Sequence, residues 1–506
     1  MEMRLSRVLK KLGKESLIYG VSAAVGRFVS LLLAPVVTRI FAPEDYGVIA
    51  LIHLAIGFAI ILGGMNIGSG IGFHFFKRED PEERGKVLLS GFFAIVATAV
   101  LMSGMLALFA PQIASLLQIR NEGPIVGHDL VLYIQVGALG MFFALMQAGL
   151  VSMLRYLEKP YHYMAVQLTN LCFTVGSVLV LVVYLRIGVI GVFWGGVIGP
   201  IAGFLCSFAM LSVHLFRIPT LAYLGPILIY ALPQLPAAIL NWMQTQLGRF
   251  CINAYVSLRE QGLYSIGLAI ASILVLATTA FRLAYDPFAL SIMKKPDAPK
   301  LFAKLYKFYV CFFGILLSFL AALGKPILQV LTPLGYHDAH FFVPFLAAGL
   351  FYLGASNILA TGIWISGKTI YTSYAQGIAF AFLVAANLVL VPVYGGMGAA
   401  LAFLLGNVLY NFFVYYFSQR IIPISYRYWR THAWVLLIVL FCWWESHLVA
   451  EALFLEALGI GLACGLVGSL LVFKIFVTKE DLVVVKRFIR NLRQGRLQKS
   501  QDEITG

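Results

Sequence analysis

The stretch from Leu17 to Ile56, LIYGVSAAVGRFVSLLLAPVVTRIFAPEDYGVIALIHLAI, decides the fold. It holds two apolar segments joined by a short turn. The first, residues 15–41, exceeds the roughly 20 residues that a helix needs to cross a bilayer. One ionised side chain, Arg27, sits near its middle. A cation at that depth costs roughly 2.5–3.5 kcal/mol on insertion scales, so Arg27 is expected to face a cavity or a partner helix. Ser16, Gly20, Ala23, Arg27, Ser30, Ala34 and Thr38 fall three or four apart and share one helix face. That face reads either as a solvated, cation-bearing wall or as small residues that permit close packing. In the turn that follows, Pro43 opens the second helix, and Glu44 and Asp45 sit in its first turn against the helix dipole.

Composition extends this reading to the whole chain. Of 506 residues, 61% are hydrophobic and 12% charged, which excludes a soluble domain and indicates an all-α polytopic membrane protein. Apolar windows predict fourteen transmembrane helices, near 15–41, 46–70, 87–110, 130–154, 163–185, 189–213, 225–247, 261–283, 302–323, 341–364, 370–391, 396–418, 432–453 and 455–477. The cationic segment before the first run is followed by no small-residue cleavage site, so that run is expected to be a retained span. With the N-terminus inside, 29 of the 37 lysines and arginines fall on the inner side and 6 on the outer. That bias predicts a multi-pass protein of a bacterial cytoplasmic membrane with both termini cytoplasmic. The net charge of +15 becomes a collar facing anionic lipids at the cytoplasmic face, which argues against a nucleic-acid partner. The six cysteines lie scattered in apolar runs without metal or redox spacing.

The first twelve spans read as two pseudo-symmetric six-helix lobes. Asp45-Tyr46-Gly47-Val48 recurs as Glu260-Gln261-Gly262-Leu263, and Gly188-Val189-Ile190-Gly191 as Gly395-Gly396-Met397-Gly398. Parallel repeats of this kind relate by an axis along the membrane normal, with a site between them. The expected divisions are an N-terminal lobe (1–214), a C-terminal lobe (215–425), an extra helix pair (426–477) and a basic amphipathic cytoplasmic tail (478–506). The seventh span is interrupted by Pro226, Pro233 and Pro236 and should be bent or broken. Gln234, Ala238, Asn241, Thr245 and Gly248 give it a polar, small-residue face, to which Gln244 and Gln246 add amides. In the eighth, Arg282 and Asp286 are four apart and able to pair.

The opening pattern, Arg27 followed by PVVTRIFAPEDYGVIAL at 35–51, resembles the polysaccharide-transporter family, the Wzx-type oligosaccharide flippases. That family belongs to the multidrug/oligosaccharidyl-lipid/polysaccharide (MOP) flippase superfamily. The motif is clearest over the first 60 residues or so, and the remainder agrees in topology and spacing. The resemblance implies alternating access between two lobes and movement of a polyprenyl-(pyro)phosphate-linked oligosaccharide to the outer leaflet for surface polysaccharide biosynthesis. It implies no catalytic residue, cofactor or metal, and it makes pathway glycosyltransferases and the polymerase expected neighbours. Arginine stays charged and binds two phosphate oxygens at once. Arg27, Arg282 and Arg249 are therefore the expected phosphate ligands, and Asn241, Gln244 and Gln234 the expected contacts to sugar hydroxyls. Arg282 also reads as a structural partner of Asp286, and Arg249 as an interface anchor. His53 and Asp286 are the candidates for proton or ion coupling, although a hydrogen-bonded helix histidine is the better reading of His53. Between Glu15 and Glu44 the first span carries no acid, and the seventh carries none at all, which favours an anionic substrate over a cationic drug. The alternatives are export of another amphiphile, of multidrug or lipid II type, and a polytopic oligosaccharide polymerase or ligase. The short outer loops argue against the enzyme. His337-Asp338-Ala339-His340 lacks further ligands and does not read as a metal site.

Overall fold

A computed structural model describes residues 33, 35–117, 129–157, 159–215, 221–232, 235–292, 297–366, 368 and 370–476. Among them every regular element is helical. Ten helical stretches are long and apolar enough to cross a membrane. Most of the expected first span, with Arg27, lies outside the described residues, as do Gln234 and the tail.

Helix α1 (Pro43–Gly64) starts as its sequence dictates. Pro43 occupies the first turn, and the Asp45 carboxylate accepts from the Ala42 amide at 3.1 Å. The expected second span is not one helix. Met65 and Asn66 take left-handed backbone conformations, with φ of 41° and 52°, and α2 (Ile67–Lys77) sets off in a new direction. Helix α3 (Pro81–Leu108) is capped by Asp80, which accepts from the amides of Glu82 and Glu83 at 3.2 and 3.4 Å. The first half continues through α4 (Ala110–Leu117), α5 (Leu130–Tyr156), α6 (Pro160–Val178, prolonged by a π-turn at Leu179–Tyr184) and α7 (Ile190–Leu215).

The seventh span is described as two helices, α8 (Leu224–Ala231) and α9 (Leu235–Tyr255), and the expected break at Pro233 lies outside the described residues. The eighth comprises α10 (Leu258–Ala271) and α11 (Ile273–Ile292), and α12 (Ala298–Ala322) follows. A connection then runs through α13 (Gly324–Leu331) and a 3₁₀ segment (Leu334–Phe341) to α14 (Val343–Leu359) and α15 (Thr361–Ile365). Helix α16 (Ile370–Ile421) is 52 residues long but turns back at Gly395, where φ is +58° and ψ −137°. A Cβ on Gly406 would lie 2.9 Å from Leu383, so the two arms pack side by side. Two expected spans are thus one hairpin with no loop between them. Helices α17 (Tyr428–Leu448) and α18 (Phe454–Phe476) complete the described chain. Neither α9 nor α17 is among the ten apolar stretches, because amides and charges interrupt both.

The buried side chains form two clusters. One gathers residues from Leu33 to Ile227, plus Leu258; the other gathers residues from Cys251 to Phe476 and includes α17 and α18. The clusters meet at one end where α1 crosses α10. A Cβ on Gly47 would stand 2.1 Å from the Leu258 carbonyl oxygen, and one on Gly262 2.1 Å from that of Pro43. Only glycine at both positions lets the two backbones approach so closely. Around the crossing, Tyr336 donates to the Phe41 carbonyl at 2.8 Å, and Arg39 donates to that of Val330 at 3.4 Å.

Candidate functional site

Helix α9 runs between the clusters. On one side Trp242 packs against Phe58 of α1, with ring centroids 5.4 Å apart; on the other, Gly248 lies against Tyr264 of α10 and Ala399 of α16. Its polar face carries Asn241, Thr245 and Arg249, each four residues on from the last. Asn241 is exposed, Arg249 partly buried.

Arg249 is the central group. Its Nη1 donates to Gln246 Oε1 at 2.9 Å, while its buried Nε–H has no partner among the described residues. Within its electrostatic reach lie Tyr46 and His53 of α1 and Tyr264 of α10. These belong to both halves, and none is an acid. A guanidinium offers five N–H donors and stays charged. Among the described residues it is held by a single amide and faced by phenols and an imidazole, which leaves donors for an anion. His53 is exposed although it sits in the third turn of α1, and its ring leans on Phe193 at 5.5 Å between centroids.

Gln244 is buried, and both ends of its amide are engaged. Gln376 donates to its oxygen, and its nitrogen donates to Asn407 Oδ1 at 3.3 Å. Asn407 in turn donates to the Phe403 carbonyl at 2.8 Å. This chain of amides ties α9 to both arms of the α16 hairpin, so Gln244 holds the helix that carries Arg249. Gln376, Asn407 and Tyr264 do not stand out in the sequence, and Tyr46 does so only as part of the repeat. A lone amide in an apolar span is the signal that could have found the first two.

Arg282 lies on α11 and is exposed; Asp286 follows one turn later on the same helix, its side chain outside what is described. Arg249, His53 and the α9 amides thus come together, while Arg282 stands on a separate helix. The His337/His340 loop holds its own imidazoles: His340 Nδ1 lies 2.7 Å from the His337 carbonyl and Nε2 3.1 Å from that of Ser446. Among the described residues no group of three metal-ligating side chains is found.

The sequence profile of the family described as "Polysaccharide biosynthesis protein" matches residues 36–283. The fold is similar to that of the lipid II flippase MurJ in an inward closed conformation, at 15% identity and a TM-score of 0.68, covering 92% of this chain and 99% of that one. It is also similar to an inward-facing multidrug resistance MATE family transporter of the MOP superfamily, at 14% identity and a TM-score of 0.61, covering 78% and 94%. A third likeness is to MATE in the straight conformation, at 14% identity and a TM-score of 0.53, covering 81% and 95%. No curated protein matches the chain. The matched profile covers just under half of the chain, and the three structural likenesses show the fold that this chain has in common with the lipid II flippase and the MATE transporters.

Proposed function

We propose that the protein is a flippase that moves a polyprenyl-(pyro)phosphate-linked oligosaccharide from the cytoplasmic to the outer leaflet, feeding surface polysaccharide synthesis. The observation that carries this reading is Arg249, a cation between the two halves whose described neighbours include no acid. A guanidinium in that position draws an anionic group to the seam and penalises a cationic one. Asn241, exposed on the same face of α9 as Arg249, is proposed to meet sugar hydroxyls. The lipid tail stays in the bilayer while the head crosses between the lobes, whose expected boundaries are 1–214 and 215–425. Arg27 and Arg282 are proposed to extend the phosphate path, with Gln234 as a further sugar contact. His53 and Asp286 are the groups proposed for coupling. The chain acts without cofactor or covalent chemistry, in the bacterial inner membrane with both termini inside. Pathway glycosyltransferases and the polymerase are its proposed neighbours.

The test is reconstitution into proteoliposomes with a fluorescent lipid-linked oligosaccharide on one leaflet. Wild-type protein should expose the glycan to a membrane-impermeant glycosidase on the other side, and Arg249→Glu should not. Proteoliposomes that leave the glycan protected while exporting a cationic dye would overturn the reading in favour of a multidrug exporter.

A further inference from the structure

At the end of the bundle that carries the basic loops, α8 has left its own half. It packs on α2, where a Cβ on Gly70 would stand 2.6 Å from the Ile227 carbonyl oxygen. It is also tied to α3: the hydroxyl of Tyr223, just before α8, donates to Glu83. Along this seam a groove of ≈ 600 Å³ opens between α2, the end of α5 and α8. Ser69, Gly72, Phe73, Phe76 and Lys77 line it from α2, a spacing that puts all five on one face. At 1.5 Å per residue that face is about 12 Å long.

The groove is graded along its length. Lys77 and Arg155 stand at the ends of α2 and α5, and each cation sits over a ring: Nζ of Lys77 is 5.9 Å from the centroid of Phe73, and Cζ of Arg155 is 5.5 Å from that of Tyr156. Deeper in, Phe73 stacks on Tyr230 of α8 at 4.3 Å and an interplanar angle of 12°. The rings remain open: Phe73 is 44% and Phe76 60% exposed. Among the described residues no acidic side chain lines the groove.

We infer that this groove binds an anionic glycerophospholipid of the inner leaflet. Its phosphate would sit between Lys77 and Arg155, and its acyl chain would lie along Phe76, Phe73 and Tyr230. A soluble anion would leave the aromatic floor uncovered, whereas a lipid satisfies both ends. The charged groups among the described lining residues are Lys77 and Arg155, which favour an anionic headgroup over a zwitterionic one, whose amine they repel. Because the walls come from α2, α5 and α8, the bound lipid fastens α8 to the first half. The inference does not depend on which substrate the protein transports.

The experiment uses delipidated full-length protein, with native mass spectrometry to count bound phosphatidylglycerol and phosphatidylcholine. Phosphatidylglycerol should be retained over phosphatidylcholine. The double variant Lys77→Gln/Arg155→Gln should lower phosphatidylglycerol retention about tenfold or more and leave phosphatidylcholine unchanged. Lys300→Gln/Lys304→Gln, on the same side but outside the groove, should change neither. As an independent readout, phosphatidylglycerol should slow amide exchange in Leu224–Ala231 of the wild type and not of the double variant. Equal retention of the two lipids, an unaltered double variant, or exchange in α8 indifferent to the lipid would each overturn the proposal.

Discussion

Gly47 and Gly262 face each other where α1 crosses α10: a Cβ built on Gly262 would lie 3.3 Å from the Gly47 amide nitrogen. The same two glycines occupy equivalent places in the two copies of the sequence repeat. Each half therefore contributes the same small residue to the contact that closes this end of the bundle.

Alanine at either position should weaken that closure. The added methyl meets a carbonyl oxygen of backbone, which cannot swing aside, and overpacking of this kind costs about 1–3 kcal/mol. Leu263→Cys, buried in the wild type, should react faster with a membrane-impermeant maleimide when Gly47→Ala or Gly262→Ala is added. Because the two sites touch, the double variant should depart from additivity. Glu44→Gln should matter far less. The Arg259–Glu44 pair spans 3.9 Å with both side chains about half exposed, and such pairs are worth about 0–1 kcal/mol.

Arg249→Gln should separate transport from folding. Removing a poorly compensated charge relieves a desolvation cost, so thermal stability in detergent should be unchanged or higher. Transport should fall by about tenfold or more, the loss expected when a charge-assisted hydrogen bond to the travelling group disappears. Arg249→Lys should recover only part of it, since an ammonium lacks the guanidinium fork.

Lys325 should prove structural. It is 5% exposed, and its ammonium donates to the carbonyls of Val449 and Ala450, which close the end of α17. Lys325→Met keeps the aliphatic stem but leaves those carbonyls unanswered, at about 1–3 kcal/mol. The expected result is a lower midpoint in a detergent melt, with transport per folded molecule unchanged.

Acid should loosen the 3₁₀ segment. Burial holds the His340 imidazole below its ordinary pKa of 6.5, more strongly than the His337 and Ser446 carbonyls and Asp338 raise it. The native ring therefore resists protonation where an unfolded one accepts it. Its contribution is complete above the ordinary value and is lost as pH falls toward the depressed one. Protection factors across Leu334–Phe341, corrected for the intrinsic pH dependence of amide exchange, should fall between about pH 7.5 and 5, and His340→Gln should flatten that dependence.

The sequence made some of this legible and not the rest, for physical reasons. Helix starts were readable where proline and carboxylates act locally, as at Pro43 and Asp45. The division of the seventh span was readable because proline removes a backbone hydrogen bond wherever it stands. The repeat paired Gly47 with Gly262, but equivalence in sequence does not reveal contact in space. The turn between α1 and α2 was hidden because Met65 and Asn66, rather than the neighbouring Gly63 and Gly64, take the left-handed conformation. At the candidate site, Arg249 and Gln244 were visible as polar residues on a membrane helix. That Gln244 spends its amide on Gln376 and Asn407 depends on the α16 hairpin, which no local pattern encodes.

The two left-handed residues Met65 and Asn66 have a mechanical consequence. Each costs about 1–2 kcal/mol outside glycine, so the bend is set by its surroundings and not by the peptide itself. A straight rod would force both mouths of the passage to move in step. With a bend between α1 and α2, α1 can keep its glycine seal while α2 and its docked α8 swing, so one mouth can open without unlatching the other.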